Sequence, residues 1–227
     1  MAWSGGKDSC VALHALRSSP DYEVAALLTT VTRDYDRISM HGVHRSLLVL
    51  QAEALGLPLV EAFIPAEASN AIYEQAMGAA FEQVRTQGIE TVAFGDLFLE
   101  DIRAYRDALM ARNSMKAIYP VWGRDTRQFI RDFIAAGFKA VTCCIDLDAL
   151  PETFAGRMLD ERLVRDLPES VDPCGENGEF HTFVFDGPGF ARPIPIRIGD
   201  RVTRGRFCYC DLQMADAAMN EGESAIK

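Results

Sequence analysis

The chain has 227 residues, 48% hydrophobic and 25% charged, and carries a formal net charge of −10. That much apolar material builds a core and excludes a disordered chain, while the acidic balance repels phosphate backbones at long range and excludes broad nucleic-acid binding. No apolar run approaches the ~20 residues that cross a bilayer, no secretory signal is read at the N-terminus, and cysteines 10, 143, 144, 174, 208 and 210 form no regular framework, so a cytoplasmic protein with reduced thiols and no membrane partner is expected.

The segment Ser4-Gly5-Gly6-Lys7-Asp8-Ser9 precedes a helix that sets Val11, Ala12, Ala15 and Leu16 on one face and stops at Ser18-Ser19-Pro20. Only Met1, Ala2 and Trp3 come before it. A phosphate loop normally follows a full central strand, so an earlier start is expected. Residues 23 to 32 contain a continuous apolar and β-branched run that suits a strand buried on both faces. Leu48, Ala52 and Leu55 mark a helix, and Gly56 with Pro58 ends it. A strand over 57–64, a helix over 69–87 and a strand over 90–94 follow, the last ending in Gly95-Asp96. A helix over 100–112, a short strand over 117–121, a helix with Phe129, Phe133 and Ala136, and a strand over 139–145 complete the series.

Such alternation predicts an α/β fold, a parallel sheet with helices on both faces. Ligands in these sheets bind at the carboxyl ends of the strands, where the Ser4 loop, Thr29-Thr30 and Gly95-Asp96 all fall. The pattern breaks near Leu150. From Asp172 the chain is rich in Gly and Pro, with β-like runs over 180–185 and 192–198. The expected division is a parallel-sheet domain over 1–148, a smaller α+β domain over 149–215, and a frayed tail over 216–227.

The Ser4–Ser9 segment carries the strongest chemistry. Glycines let a backbone approach an anion and turn its N–H groups inward. The helix that follows offers the positive end of its dipole. Lys7 adds a point charge, and Ser4 and Ser9 add hydroxyls. Asp8 repels phosphate unless it holds Mg²⁺ or braces the helix start. The bland alternative is a tight turn with an N-cap. No Walker loop, G-x-x-x-x-G-K-[ST], occurs.

This string resembles the PP-loop of the ATP pyrophosphatases. Further blocks extend the resemblance: Arg37 to Val43, Gln51 to Pro58, Phe94-Gly95-Asp96, Cys174 to Thr182 and Asp186-Gly187-Pro188. They are similar to the diphthine–ammonia ligases and their bacterial relatives. Position 181 is His, where those ligases usually carry an acidic residue, and position 177 is Asn. The Met40-His41-Gly42-Val43 block is closer to the bacterial relatives. The resemblance implies a Rossmann-like (HUP-type) sheet, with ATP and Mg²⁺ as cofactors. It also implies attack on the α-phosphate with loss of pyrophosphate, and then ammonia as nucleophile. The implied product is an amide of a small-molecule or protein-borne carboxylate, and a homodimer is a state that such relatives adopt.

On this reading Lys7, Asp8 and Asp96 are the catalytic candidates. Ser4, Gly5, Gly6, Lys7, Asp8, Ser9, Thr29, Thr30 and Gly95 bind the nucleotide. Arg106, Glu176, Glu179 and His181 bind the acceptor. Arg106 suits a phosphate or carboxylate clamp, against a solvated helix face as the alternative. Glu176 and Glu179 with His181 suit ammonia handling or a cationic group, against a solvated loop. His41 and His44 have i, i+3 spacing, but no third ligand is evident, so local hydrogen bonds are expected there and no protein metal site is assigned. Cys143-Cys144 reads as core. A tRNA-modifying enzyme and a non-catalytic nucleotide-binding protein stand as rival functions.

Overall fold

The computed structural model describes residues 1–215, so the predicted tail over 216–227 lies outside the described residues. Helix α1 (Lys7–Arg17) starts directly after the glycine pair and buries Cys10, Val11, Leu13 and Leu16. Strand β1 (Leu27–Thr32) is shorter than the apolar run implied. Strand β2 (Arg37–Ile38) pairs antiparallel with the end of β1. Helix α2 (Arg45–Leu55) ends where Gly56, at φ 67° and ψ 30°, turns left-handed and its N–H caps the last carbonyls. Strand β3 (Leu59–Ile64) returns parallel to β1, in register from Leu27↔Leu59 to Thr32↔Ile64.

Helix α3 (Asn70–Arg85) starts at Ser69, whose side chain accepts from the Ile72 N–H. Strand β4 (Thr91–Ala93), helix α4 (Glu100–Arg112) and strand β5 (Lys116–Ile118) follow, with β5 parallel to β4. Residues 1–3 join the two strand groups. Trp3 N donates to Leu28 O at 2.7 Å, and Ala2 N donates to Ala93 O at 2.9 Å. The strands therefore run β3, β1, residues 1–3, β4, β5. Successive residues of β1 point to opposite faces. Leu27 and Val31 pack with α1 and α2, whereas Leu28 packs with α3 and α4. This Rossmann-like parallel sheet, with a core on each face, is the fold class the sequence predicts.

Helix α5 (Thr126–Ala135), capped by Asp125, leads to strand β6 (Lys139–Asp146). In sequence β6 looks like one more step of the alternation, but its partners are antiparallel. A 3₁₀ turn (Glu152–Phe154) and helix α6 (Glu161–Asp166) precede β7 (Phe180–Asp186), β8 (Ile196–Arg204) and β9 (Phe207–Met214). The second sheet has the order β7-β6-β9-β8. Sequence reading places the third-from-last strand correctly, sets β8 a few residues early, and misses β9. Every cysteine at 143, 144, 208 and 210 is buried, which agrees with a core role. Among the described residues no helix is long and apolar enough to cross a membrane.

The two sheets share a core and meet at Gly42. A Cβ at Gly42 would lie 2.4 Å from Tyr209 Cδ1, and the residue sits at φ +68°. Arg37 reinforces the junction, donating to Gly42 O at 2.7 Å and to Asp211 Oδ1 at 2.6 Å. Gly42→Ala combines overpacking with left-handed strain and should cost about 2–4 kcal/mol. Urea unfolding measures it, and an unchanged midpoint would show that the junction gives way freely.

Candidate active site

The glycine loop is held by bonds that reach across the molecule. Gly5 sits at φ +77°, and a Cβ there would come within 2.8 Å of Gln51 Oε1 and Leu48 Cδ1. Gln51, fully buried, accepts from Trp3 Nε1 at 2.7 Å and donates to Gly5 O at 3.0 Å and Val184 O at 2.6 Å. Val184 N donates to the same Gly5 carbonyl at 2.9 Å. Lys7 N donates to Thr182 Oγ1 at 3.0 Å, and Ser9 Oγ donates to Gly6 O at 2.8 Å. Thus α2 and β7 grip the loop from two sides.

A cavity of about 270 Å³ opens in front of it. The loop and α1 contribute Ser4, Lys7, Asp8 and Ser9. The end of β1 contributes Thr29 and Thr30, the end of β4 contributes Gly95 and Asp96, and α4 contributes Arg106. The C-terminal part supplies Glu176 and His181. Gly5 and Gly6 stand behind this wall. Gly95 is needed for close approach, because a Cβ there would lie 2.9 Å from the Asp8 carbonyl carbon.

Glu179 is not in the cavity wall. Its buried carboxylate accepts from Asp172 N, Asn177 N and Asn177 Nδ2, each at 3.0 Å. Those bonds shape the loop that presents Glu176. His41, read from sequence as a local hydrogen-bonding residue, does line the cavity. Its ring centroid lies 4.6 Å from that of His181. Only the Met-His-Gly-Val block hinted at it, since nothing local connects positions 41 and 181.

Charge inside the cavity is tightly coupled. Lys7 is 3% exposed, and its Nζ lies 2.9 Å from Asp8 Oδ2. Burial pulls the Lys7 pKa down, but the Asp8 carboxylate outweighs it and the net shift is upward. Burial pushes the Asp8 carboxyl up against the pull of Lys7. Burial, helped by the charge of Asp8, raises Glu176 to about 7, although its Oε1 accepts from Leu97 N at 2.8 Å. Burial holds His41 well below the usual range and brings His181 to about 4, so both rings are neutral at pH 7. Arg106 Nη2 donates to Asp96 Oδ1 at 3.1 Å. Arg106 Nε lies 2.8 Å from Asp96 Oδ2, close enough for an ion pair but off the angle of a hydrogen bond.

Two buried atoms at this surface, Asp8 Oδ1 and Thr29 Oγ1, have no hydrogen-bond partner among the described residues. Such orphans are costly unless a ligand meets them. Among the described residues no three His, Cys, Asp or Glu side chains cluster into a metal site. A Mg²⁺ ion needs no such cluster, because it takes one or two carboxylates and fills its shell with phosphate oxygens and water. Asp8 and Asp96 are the carboxylates available to it.

Two family models cover nearly the whole chain: the diphthamide synthase N-terminal domain over residues 1–117 and the diphthamide synthase C-terminal domain over 125–217. The chain belongs to the diphthamide synthase family. Among family members named diphthine–ammonia ligase, the Schizosaccharomyces pombe protein is 26% identical over 91% of this chain and 37% of its own length. The mouse protein is 27% identical over 88% of this chain and 82% of its own. The human protein is 25% identical over 85% and 80%. The chain thus spans little more than a third of the fission yeast protein.

Gln51→Leu removes the partner of Trp3 Nε1 and a donor to Val184 O, while Gly5 O keeps the Val184 N–H. Each unmet buried group costs about 1–3 kcal/mol, so the variant should lose at least about 2 kcal/mol in chemical denaturation. A loss below about 1 kcal/mol would show that the loop keeps its shape without this clamp.

Proposed function

We propose that this chain is an ATP-dependent ligase that forms an amide from a carboxylate and ammonia, with AMP and pyrophosphate as by-products. The observation that carries the reading is the pairing of a buried Lys7–Asp8 couple, with one Asp8 oxygen unmet, against a Glu176 carboxyl poised near neutrality across the same cavity. The names of the relatives, diphthine–ammonia ligase, point the same way.

The Ser4–Ser9 loop receives the β- and γ-phosphates, and Thr29 and Thr30 border the adenine and ribose. Asp8 and Asp96 would hold Mg²⁺, which would supply positive charge to neutralise the phosphates. An acceptor carboxylate oxygen attacks the α-phosphorus, and the bond to pyrophosphate breaks. Lys7 and the serine hydroxyls stabilise the charge that collects on the leaving group. The ammonia nitrogen attacks the acyl carbon, Glu176 accepts the proton that this nitrogen gives up, and the bond from the acyl carbon to AMP breaks. The neutral His41–His181 pair excludes water without adding charge. Gly95 and Arg106 keep Asp96 in place. Glu179 supports the loop from behind. Division of labour follows the two sheets: the parallel one holds nucleotide and the antiparallel one presents Glu176. The acceptor is a small molecule or a protein-borne acid, and the reaction belongs in the cytoplasm.

Product analysis tests the scheme: AMP and pyrophosphate are expected from ATP with ammonia and candidate acids, and ADP with phosphate would overturn it. Lys7→Ala should lose about 2–4 kcal/mol of transition-state stabilisation, the cost of a lost oxyanion donor. Near-normal turnover in that variant would remove Lys7 from the mechanism.

The pH profile tests Glu176. Its carboxyl must be ionised to take a proton, so kcat/KM at constant free ammonia should rise through about pH 7 and then level. Glu176→Gln should abolish that limb and slow the reaction roughly 10²–10⁴-fold. The same limb in Glu176→Gln would assign the base elsewhere.

A further inference from the structure

A second cleft, of about 300 Å³, opens on the far side of the turn 39–42. His41 of that turn faces the candidate active site, whereas Met40 and Gly42 line the second cleft. Thr30 borders the first and Thr32 the second. Residues two apart on a strand point to the same side and stand roughly 7 Å from each other. The two cavities are therefore neighbours along one face of β1, separated by one turn.

The far wall of the cleft is the antiparallel sheet, with Arg204 from β8 and Tyr209 and Asp211 from β9. Asp211 is committed: it accepts from Arg37 at 2.6 Å and from Gln213 Nε2 at 2.7 Å, and His44 lies 3.2 Å away. Arg37 is equally committed to Gly42 O and Asp211. Arg204 is different. Its guanidinium lies 4.6 Å from the Tyr35 ring centroid, and among the described residues it has neither a carboxylate nor a hydrogen-bond partner. One face of the guanidinium is thus covered by an aromatic ring and its N–H edge is free.

Two large apolar side chains stand exposed at the rim. Tyr35 is 49% and Met40 70% exposed, and Met40 holds a left-handed φ of 68°. A non-glycine residue in that region is uncommon and is seen at ligand-binding turns. A polarisable thioether, two tyrosines and an edge-free guanidinium make a slot for a flat ring that carries negative charge.

We propose that this cleft is an acceptor subsite for a small molecule with an aromatic body and an acid group at each end. One acid pairs with Arg204, the ring lies between Tyr35, Met40 and Tyr209, and the other acid reaches over the turn toward Lys7 and Glu176. The assignment as acceptor rests on the ligase reading; the binding of an aryl acid does not.

The test is a titration of the full chain, labelled at methionine methyls, with 2-naphthoate, 2,6-naphthalenedicarboxylate and the uncharged 2-naphthamide, without ATP. The Met40 methyl resonance, assigned with Met40→Leu, should move saturably with both acids. The amide should bind roughly ten-fold more weakly, the worth of one charge-assisted bond. Arg204→Gln should weaken the acids by the same factor, and Arg204→Lys should restore most of the preference for acid over amide. The proposal is overturned if Met40 does not respond to either acid up to about 10 mM, or if acids and amide bind alike in the unaltered protein. It is also overturned if Arg204→Gln leaves the preference intact. Because ATP is absent, a negative titration with AMP still produced would sink the subsite alone. A positive titration without AMP production would sink the ligase reading alone.

Discussion

One carbonyl oxygen organises this protein. Gly5 O receives both the Gln51 amide and the Val184 N–H, so the glycine loop is bonded at a single point to α2 and to β7. Buried backbone groups must be paired, and here the pairing also fixes the loop between the two sheets. The clamp orients the start of α1, and with it Lys7 and Asp8. It simultaneously sets β7 against the cavity, which brings Thr182 to the Lys7 N–H and His181 to the pocket wall. Loosening that point would disturb both halves together.

A net charge of −10 makes the protein a poor anion attractor at long range. Its cavity compensates by local means. Lys7 is desolvated beside Asp8, so its charge acts in a low-dielectric setting where it is worth more than in water. Asp96 is drawn to Arg106 and the two imidazoles stay neutral. One oxygen of Asp8 has no partner among the described residues, and burial keeps the Glu176 carboxyl near the point of exchanging a proton at neutral pH.

The helices were the most legible part of the sequence, since their signals are local. Gly56 closes α2 and Ser69 opens α3 where the residue types imply, and the helix over 100–112 matches α4 in both bounds. Strand ends were less legible. The apolar run that begins before β1 continues as coil because only Leu27 to Thr32 find β3 beside them. Strand β9 went unseen although Cys208, Cys210 and Leu212 alternate as buried residues, because cysteine carries little weight as a strand former. Two acids in one short loop could not be told apart by type. Glu179 turned inward to three loop donors and Glu176 outward to the cavity.

By itself the sequence determined the glycine loop, the helix behind it and the parallel-sheet layout, because glycine placement, capping and apolar periodicity act over a few residues. Tertiary structure alone decided that β6 leaves the alternation for an antiparallel sheet, that His41 meets His181, and that Gln51 rather than the loop's own residues holds Gly5. Those contacts join positions from 35 to 140 residues apart. Pairing at such separations is selected by shape and by the need to satisfy buried polar groups, neither of which leaves a local pattern in the chain.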